Sequence, residues 1–156
     1  MVIQRWQSVL LLATAVVMAC FTFFSLGQIQ LPEQTLNFTT MGFEIEGAST
    51  DGAPSGYALH TWGFFVVSLL SFVIPFINIF MFKNLKLQKS LCVIEILFLF
   101  TLAAIGCTYG YYHFAEASVS WSSLICALPI AIIADLLAYQ RICADQRTLR
   151  AADRLR

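Results

Sequence analysis

The chain has 156 residues, 59% hydrophobic and only 12% charged, with nine basic residues against nine acidic ones. A soluble domain of this length normally carries about twice that charged fraction. A mean hydropathy of +0.77 therefore argues against a water-soluble globule and for lipid as the solvent. The sequence predicts an all-α membrane protein, a single integral membrane domain over 1–156. Its four apolar runs, about 8–26, 59–82, 91–112 and 119–139, form an antiparallel bundle.

The charges are distributed unevenly. The basic residues are Arg5, Lys83, Lys86, Lys89, Arg141, Arg147, Arg150, Arg154 and Arg156, and all fall in the first, third or fifth segment flanking the runs. The second and fourth segments hold Glu33, Glu44, Glu46, Asp51 and Glu116 and no Lys or Arg. Alternate segments share a side of the membrane, so the positive-inside rule predicts that both termini are cytoplasmic.

Residues 1–7 carry Arg5 and Trp6, a cation and an aromatic anchor for the inner interface. The run 8–26 spans roughly 28 Å, about one hydrocarbon thickness. Ser25-Leu26-Gly27 resembles a signal-peptide cleavage site, but the apolar core exceeds the usual length, so a retained helix is expected. Segment 28–58 is the substantial outer loop. It alternates about Met41-Gly42, placing Leu36, Phe38 and Thr40 on one face with Phe43 and Ile45, which predicts a small β-hairpin. A lone hairpin is marginal unless its apolar face packs on helix ends or a partner. Residues 50–56, with Asp51-Gly52 and Pro54, read as loop.

In the second run Pro75 predicts a kink, and the Asn78 amide can bond a neighbouring helix or a carbonyl freed by the proline. Residues 83–89 form the tight inner turn. Gly106 and Gly110 make a small-xxx-small arrangement that permits close helix approach, leaving self-association open. Pro129 sits near the middle of the fourth run, whose alanine side, Ala127, Ala131, Ala134 and Ala138, is expected to face the bundle. A helical tail, 141–156, carries five arginines against two aspartates, with Arg141/Asp145 and Arg150/Asp153 at helical pair spacings. Such a tail binds anionic headgroups or docks a cytosolic partner.

Five cysteines, Cys20, Cys92, Cys107, Cys126 and Cys143, show no CxxC spacing and avoid the outer segments, so they read as packed or reduced thiols. His60 and His113 have no metal-ligand spacing, and the His113/Glu116 pair reads as turn residues. No metal, cofactor, catalytic constellation or nucleic-acid signal is expected.

Glu95 and Asp135 are different, because each is an acid inside an apolar run. Each lies six residues from a basic marker, Lys89 or Arg141, about 9 Å at the helical rise. Antiparallel helices would put both carboxyls at one depth, just inside the cytoplasmic leaflet. There they could tie helix ends together through Arg5, Arg141 or Tyr139, or share a proton.

The chain resembles a known family in three places. These are Met1-Val2-Ile3-Gln4-Arg5-Trp6-Gln7-Ser8-Val9, the turn Phe82-Lys83-Asn84-Leu85-Lys86-Leu87-Gln88, and a tail with Ile142, Asp145, Leu149-Arg150 and Ala152-Asp153-Arg154-Leu155-Arg156. The family is the four-helix membrane family of Bacteroidetes catalogued as domain of unknown function 4293. Leu85 and Gln146 depart from its pattern. The resemblance implies four helices and an inner-membrane location, and it implies no activity. Two readings follow from the residues: a non-enzymatic accessory subunit of a membrane complex, or a small proton- or ion-coupled transporter using Glu95 and Asp135.

Overall fold

The computed structural model of the protein describes residues 2–30, 35–46, 57–81, 84–113 and 118–154. Among them are four long helices: α1 (Val2–Phe23), α2 (Trp62–Phe80), α3 (Leu85–His113) and α4 (Ala127–Arg154). Each is long and apolar enough to cross a membrane. They pack as a closed ring, α1 against α2 and α4, and α3 against α2 and α4.

Inward faces follow the helical repeat. On α2 the buried residues are Phe64, Ser68, Ser71, Pro75 and Asn78, spaced alternately by four and three. On α3 they are Gln88, Cys92, Glu95, Leu99 and Leu102, and on α4 Ala127, Ala131, Asp135, Ala138 and Ile142. Ala127, Ala131 and Ala138 of the expected alanine face therefore point inward, while Ala134 is only half-buried beside them. Outward faces carry exposed Val9, Leu12 and Val16 on α1, Val93, Leu97 and Phe100 on α3, and Ile130 and Ile133 on α4. Apolar surface of that extent is what a lipid-facing bundle presents.

The expected hairpin is part of something larger. Strands β1 (Gly27–Gln30), β2 (Thr35–Thr39), β3 (Gly42–Glu46), β4 (Tyr57–His60) and β5 (Ser118–Trp121) form one antiparallel sheet in the order β4-β3-β2-β1-β5. The β2–β3 hairpin has the predicted faces, with Leu36 opposite Ile45 and Phe38 opposite Phe43. Its turn closes at Gly42, whose φ of 152° disfavours any residue with a Cβ. The sheet's apolar side lies on the helix ends: Phe38 stacks on Phe43 at 4.7 Å between ring centroids and on Phe64 at 6.0 Å. Hydroxyls fasten the same junction. Thr61 donates to the Thr40 carbonyl and Thr40 to the Thr22 carbonyl. Thr22 donates to the Met18 carbonyl, which leaves Ser68 as the donor in their 2.6 Å contact.

Several boundaries differ from the sequence reading. α1 runs over Val2–Phe23 rather than 8–26, because the chain turns at Phe24 to enter β1. α3 begins at Leu85, so Lys86 and Lys89 are helical rather than part of a turn. The start of the fourth run is not helix. Residues 118–121 pair with β1 as a strand, and Ser122 then caps a 3-10 turn, Ser123–Cys126, by accepting from the Leu124 amide. The serines at 118, 120, 122 and 123 explain this, since their hydroxyls compete with helical bonding and favour strands, turns and caps. Pro129 consequently lies in the first turn of α4, not mid-helix. It causes no kink there, because a first-turn N–H has no intrahelical acceptor to lose. Beyond Tyr139, α4 continues unbroken to Arg154. Lys83, Glu116, Arg156 and the loop 50–56 lie outside the described residues.

Candidate functional site

Two apolar clusters stand at opposite ends of the bundle. Towards the sheet, Met18, Phe21, Phe64, Leu99, Leu102 and Ala131 close the interior together with the sheet's own core. Towards the other end, Leu11, Cys92, Ala138 and Ile142 form a smaller cluster. Between and beside these layers the interior is polar, and every helix contributes: Gln7 and Thr14 from α1, Ser71 and Asn78 from α2, Gln88 and Glu95 from α3, and Asp135 from α4.

Glu95 is 1% exposed and Asp135 0%, so neither carboxyl reaches solvent or the bundle surface. Among the described residues, neither Glu95 oxygen has a hydrogen-bond partner, and the Asp135 carboxyl has only the weak Cys92 thiol beside it. The Ser71 hydroxyl, Asn78 Oδ1 and Gln88 Oε1 are likewise buried and unpartnered. Leaving one buried polar group unsatisfied costs about 1–3 kcal/mol, so a concentration of such groups is not what a purely structural interior would hold. All of them can accept a hydrogen bond, and the side-chain amide donors nearby are already in use, which leaves the Ser71 hydroxyl as a free donor as well as an acceptor. Asn78 Nδ2 donates to the Gln88 carbonyl and to Cys92 Sγ, both at 3.2 Å, and Gln88 Nε2 donates back to the Asn78 carbonyl. The Cys92 thiol adjoins Asp135, and the Glu95 and Asp135 charges lie close enough to interact.

The acids also lie deeper than their distance from Lys89 and Arg141 implied. Asp135 is eight residues into α4 and Glu95 eleven residues from Gly106, about 12 Å and 16 Å below the sheet-end layer at the helical rise. Half a hydrocarbon core is about 15 Å. The later start of α4 moves Asp135 towards the middle of the span. The expected hydrogen bond from Tyr139 is not made, and Lys89 Nζ instead sits 5.4 Å from the centre of the Tyr139 ring. Arg141 is exposed and turned away from the interior.

Pro75 is buried on the inward face of α2, and its missing N–H frees the Ser71 carbonyl one turn earlier. Asn78 bonds a neighbouring helix as expected. Gly106 faces Phe64, but a Cβ there would meet the ring only at 3.9 Å, ordinary contact, so close helix approach does not require a glycine. Gly110 follows one turn later in α3. Arg147 and Arg150 are exposed on the last turns of α4, and Asp153 and Arg154 end that helix. At the end away from the sheet, Gln7 Nε2 donates to Asp145 Oδ2, tying α1 to α4.

In the sequence the acids and Asn78 stand out as interior polar groups, whereas Gln7 and Gln88 appear only in the family resemblance, Cys92 only as a packed thiol, and Ser71 not at all. Their signal was periodic: Gln88, Cys92 and Glu95 recur at spacings of four and three inside an apolar helix. All five cysteines are free thiols. Among the described residues, no three His, Cys, Asp or Glu side chains are grouped to hold a metal ion. Comparison with curated proteins gives no match. A family model described as a domain of unknown function, DUF4293, matches residues 3–155.

Proposed function

The chain belongs to the DUF4293 family, and since that membership carries no activity, we propose from the interior itself that the protein is a small proton-binding membrane carrier. One observation supports this reading above the others: two buried carboxyls, Glu95 with no partner among the described residues and Asp135 with only the Cys92 thiol beside it, share an interior lined by unpartnered acceptors. An unpaired carboxylate in such a place is costly, and intramembrane acids mark ion and proton pathways by default. A proton suits the site better than a metal ion, because among the described residues no three His, Cys, Asp or Glu side chains are grouped to hold one. In this reading Glu95 and Asp135 hold the proton, Ser71, Asn78 and Gln88 accept from water or from the protonated carboxyl, the larger apolar cluster separates the acids from the sheet end, and Asn78 and Gln88 lie on the way to the other end. No catalytic step is assigned to the chain.

The protein sits in the inner membrane as a multi-pass protein, with the basic segments and both termini cytoplasmic and the sheet outside. A reporter inserted near Asp51 is expected to be periplasmic, and a cytoplasmic result would reverse the orientation. In liposomes, wild-type protein is expected to dissipate a pH gradient while Glu95→Gln and Asp135→Asn do not. Equal flux in all three would sink the carrier reading.

A second reading rests on the exposed arginines of α4. Arg141, Arg147 and Arg150 line a helix that outruns the bundle, a suitable contact for anionic headgroups or for a membrane-protein partner of an accessory subunit. No flux, together with loss of a co-purifying partner on deleting 147–156, would favour this reading.

A further inference from the structure

An apolar cleft of about 800 Å3 opens between α3 and the start of α4, directly beneath the sheet. It is unconnected with the acids, which lie deeper along the bundle axis. Small residues make the room: Ala103, Gly106 and Cys107 on one wall face Cys126 and Pro129 on the other. Gly106 has a clear role here. Its missing side chain is not needed for helix packing, since a Cβ would meet Phe64 only at 3.9 Å, but it does widen the cleft. The floor is aromatic, formed by Phe21, Phe38 and Phe64.

Three features identify the occupant. First, the cleft is too large to stand empty without forfeiting contacts along its whole lining, and it is too apolar to hold water. Second, its mouth residues Cys107, Ile125, Cys126 and Pro129 are exposed at helix ends that lie within candidate membrane spans, so the mouth opens onto hydrocarbon. Third, its upper rim is β5, an edge strand of the sheet, carrying exposed Trp121 and exposed Ser118 and Ser120. An edge strand offers free backbone donors and acceptors, and tryptophan favours the headgroup level. An apolar slot ending in a polar, tryptophan-marked rim matches an amphiphile held upright.

We propose that the cleft between α3 and α4 is a lipid site, taking one acyl chain of a phospholipid from the leaflet nearest the sheet, with its headgroup against β5. The lipid supplies the wall that α3 and α4 leave open and braces the sheet on the bundle.

The test is lipid retention. Full-length protein is purified through repeated detergent exchange and its bound lipid identified by mass spectrometry. Wild type is expected to keep about one phospholipid per chain, as a single cleft of this size allows. Ala103→Trp, which fills the cleft, should lose it while keeping its helical circular dichroism. Retention unchanged in Ala103→Trp, no retained lipid in wild type, or a retained isoprenoid in place of phospholipid would overturn the proposal. Should that variant fail to fold, wild type in vesicles containing a phospholipid with a photoactivatable acyl chain decides the matter. Adducts concentrated at Ala103, Cys107 and Ile125 support the site, and adducts no denser there than at the outward-facing Phe100 and Ile133 overturn it.

Discussion

If Glu95 and Asp135 serve proton binding rather than cohesion, removing them should stabilise the protein. Both carboxyls are buried, Glu95 without a partner among the described residues and Asp135 with only the Cys92 thiol beside it. Replacing a buried ionic group by apolar side chains of similar volume is often stabilising by about 1–4 kcal/mol, and an unsatisfied buried polar group costs about 1–3 kcal/mol. Glu95→Met keeps the reach of the side chain, and Asp135→Val roughly keeps its volume. The double variant is therefore expected to be more stable than wild type by about 2–6 kcal/mol. For a chain of this length about 2–4 °C of Tm accompanies each kcal/mol, so the thermal midpoint in detergent should rise by at least several degrees. The gain would be the stability that natural proteins forgo at functional sites. A midpoint that falls by several degrees would instead mean that the carboxyls hold the helices together.

Three further variants probe the frame around the site. Gly27→Ala places a Cβ 2.9 Å from the Ser120 carbonyl oxygen. It should force β5 from β1 at a cost of about 1–3 kcal/mol, seen as faster amide exchange over 118–121 with the helices still protected. Phe64→Ala removes the ring on which Phe38, Phe21 and Tyr109 converge. It should cost about 3–5 kcal/mol and expose the sheet to proteolysis before the bundle. Asn78→Ala deletes the two contacts from α2 to α3 and should cost about 0.6–1.7 kcal/mol, the range for such bonds between membrane helices, read from the Tm.

The four helices and the β2–β3 hairpin were legible in the sequence because each has a strong local period. In the hairpin, Leu36, Phe38, Phe43 and Ile45 alternate cleanly, and the observed register follows them. The rest of the sheet was not legible. β1 is hidden at the end of an apolar run, and β5 lies inside what reads as the start of a fourth helix, so their pairing is a contact between segments about ninety residues apart that no local pattern encodes. Serines 118–123 were the available sign, and taking them as helix also misplaced Pro129 and made Asp135 look shallow. Within the site, the two acids stood out as charges in apolar runs. Ser71, Gln88 and Cys92 did not, because a single small polar residue in a helix is unremarkable until its neighbours across the bundle are known. Gly106 stood out by its spacing as a small residue on a helix face, and the fold places it against Phe64 and on the wall of a cleft that no local pattern encodes.

Whether the interior acid pair binds a proton can be read from carbodiimide modification. A hydrophobic carbodiimide partitions into the bilayer and adds to a carboxyl only in its protonated form, so peptide mass spectrometry on labelled vesicles reports which acids carry protons inside the membrane. Proton binding by the pair gives an adduct on Glu95 or Asp135 and none on the exposed Glu44, with proton flux lost in proportion to labelling. Flux that continues through fully labelled protein, or an interior pair left unmodified while exposed acids react, would contradict it.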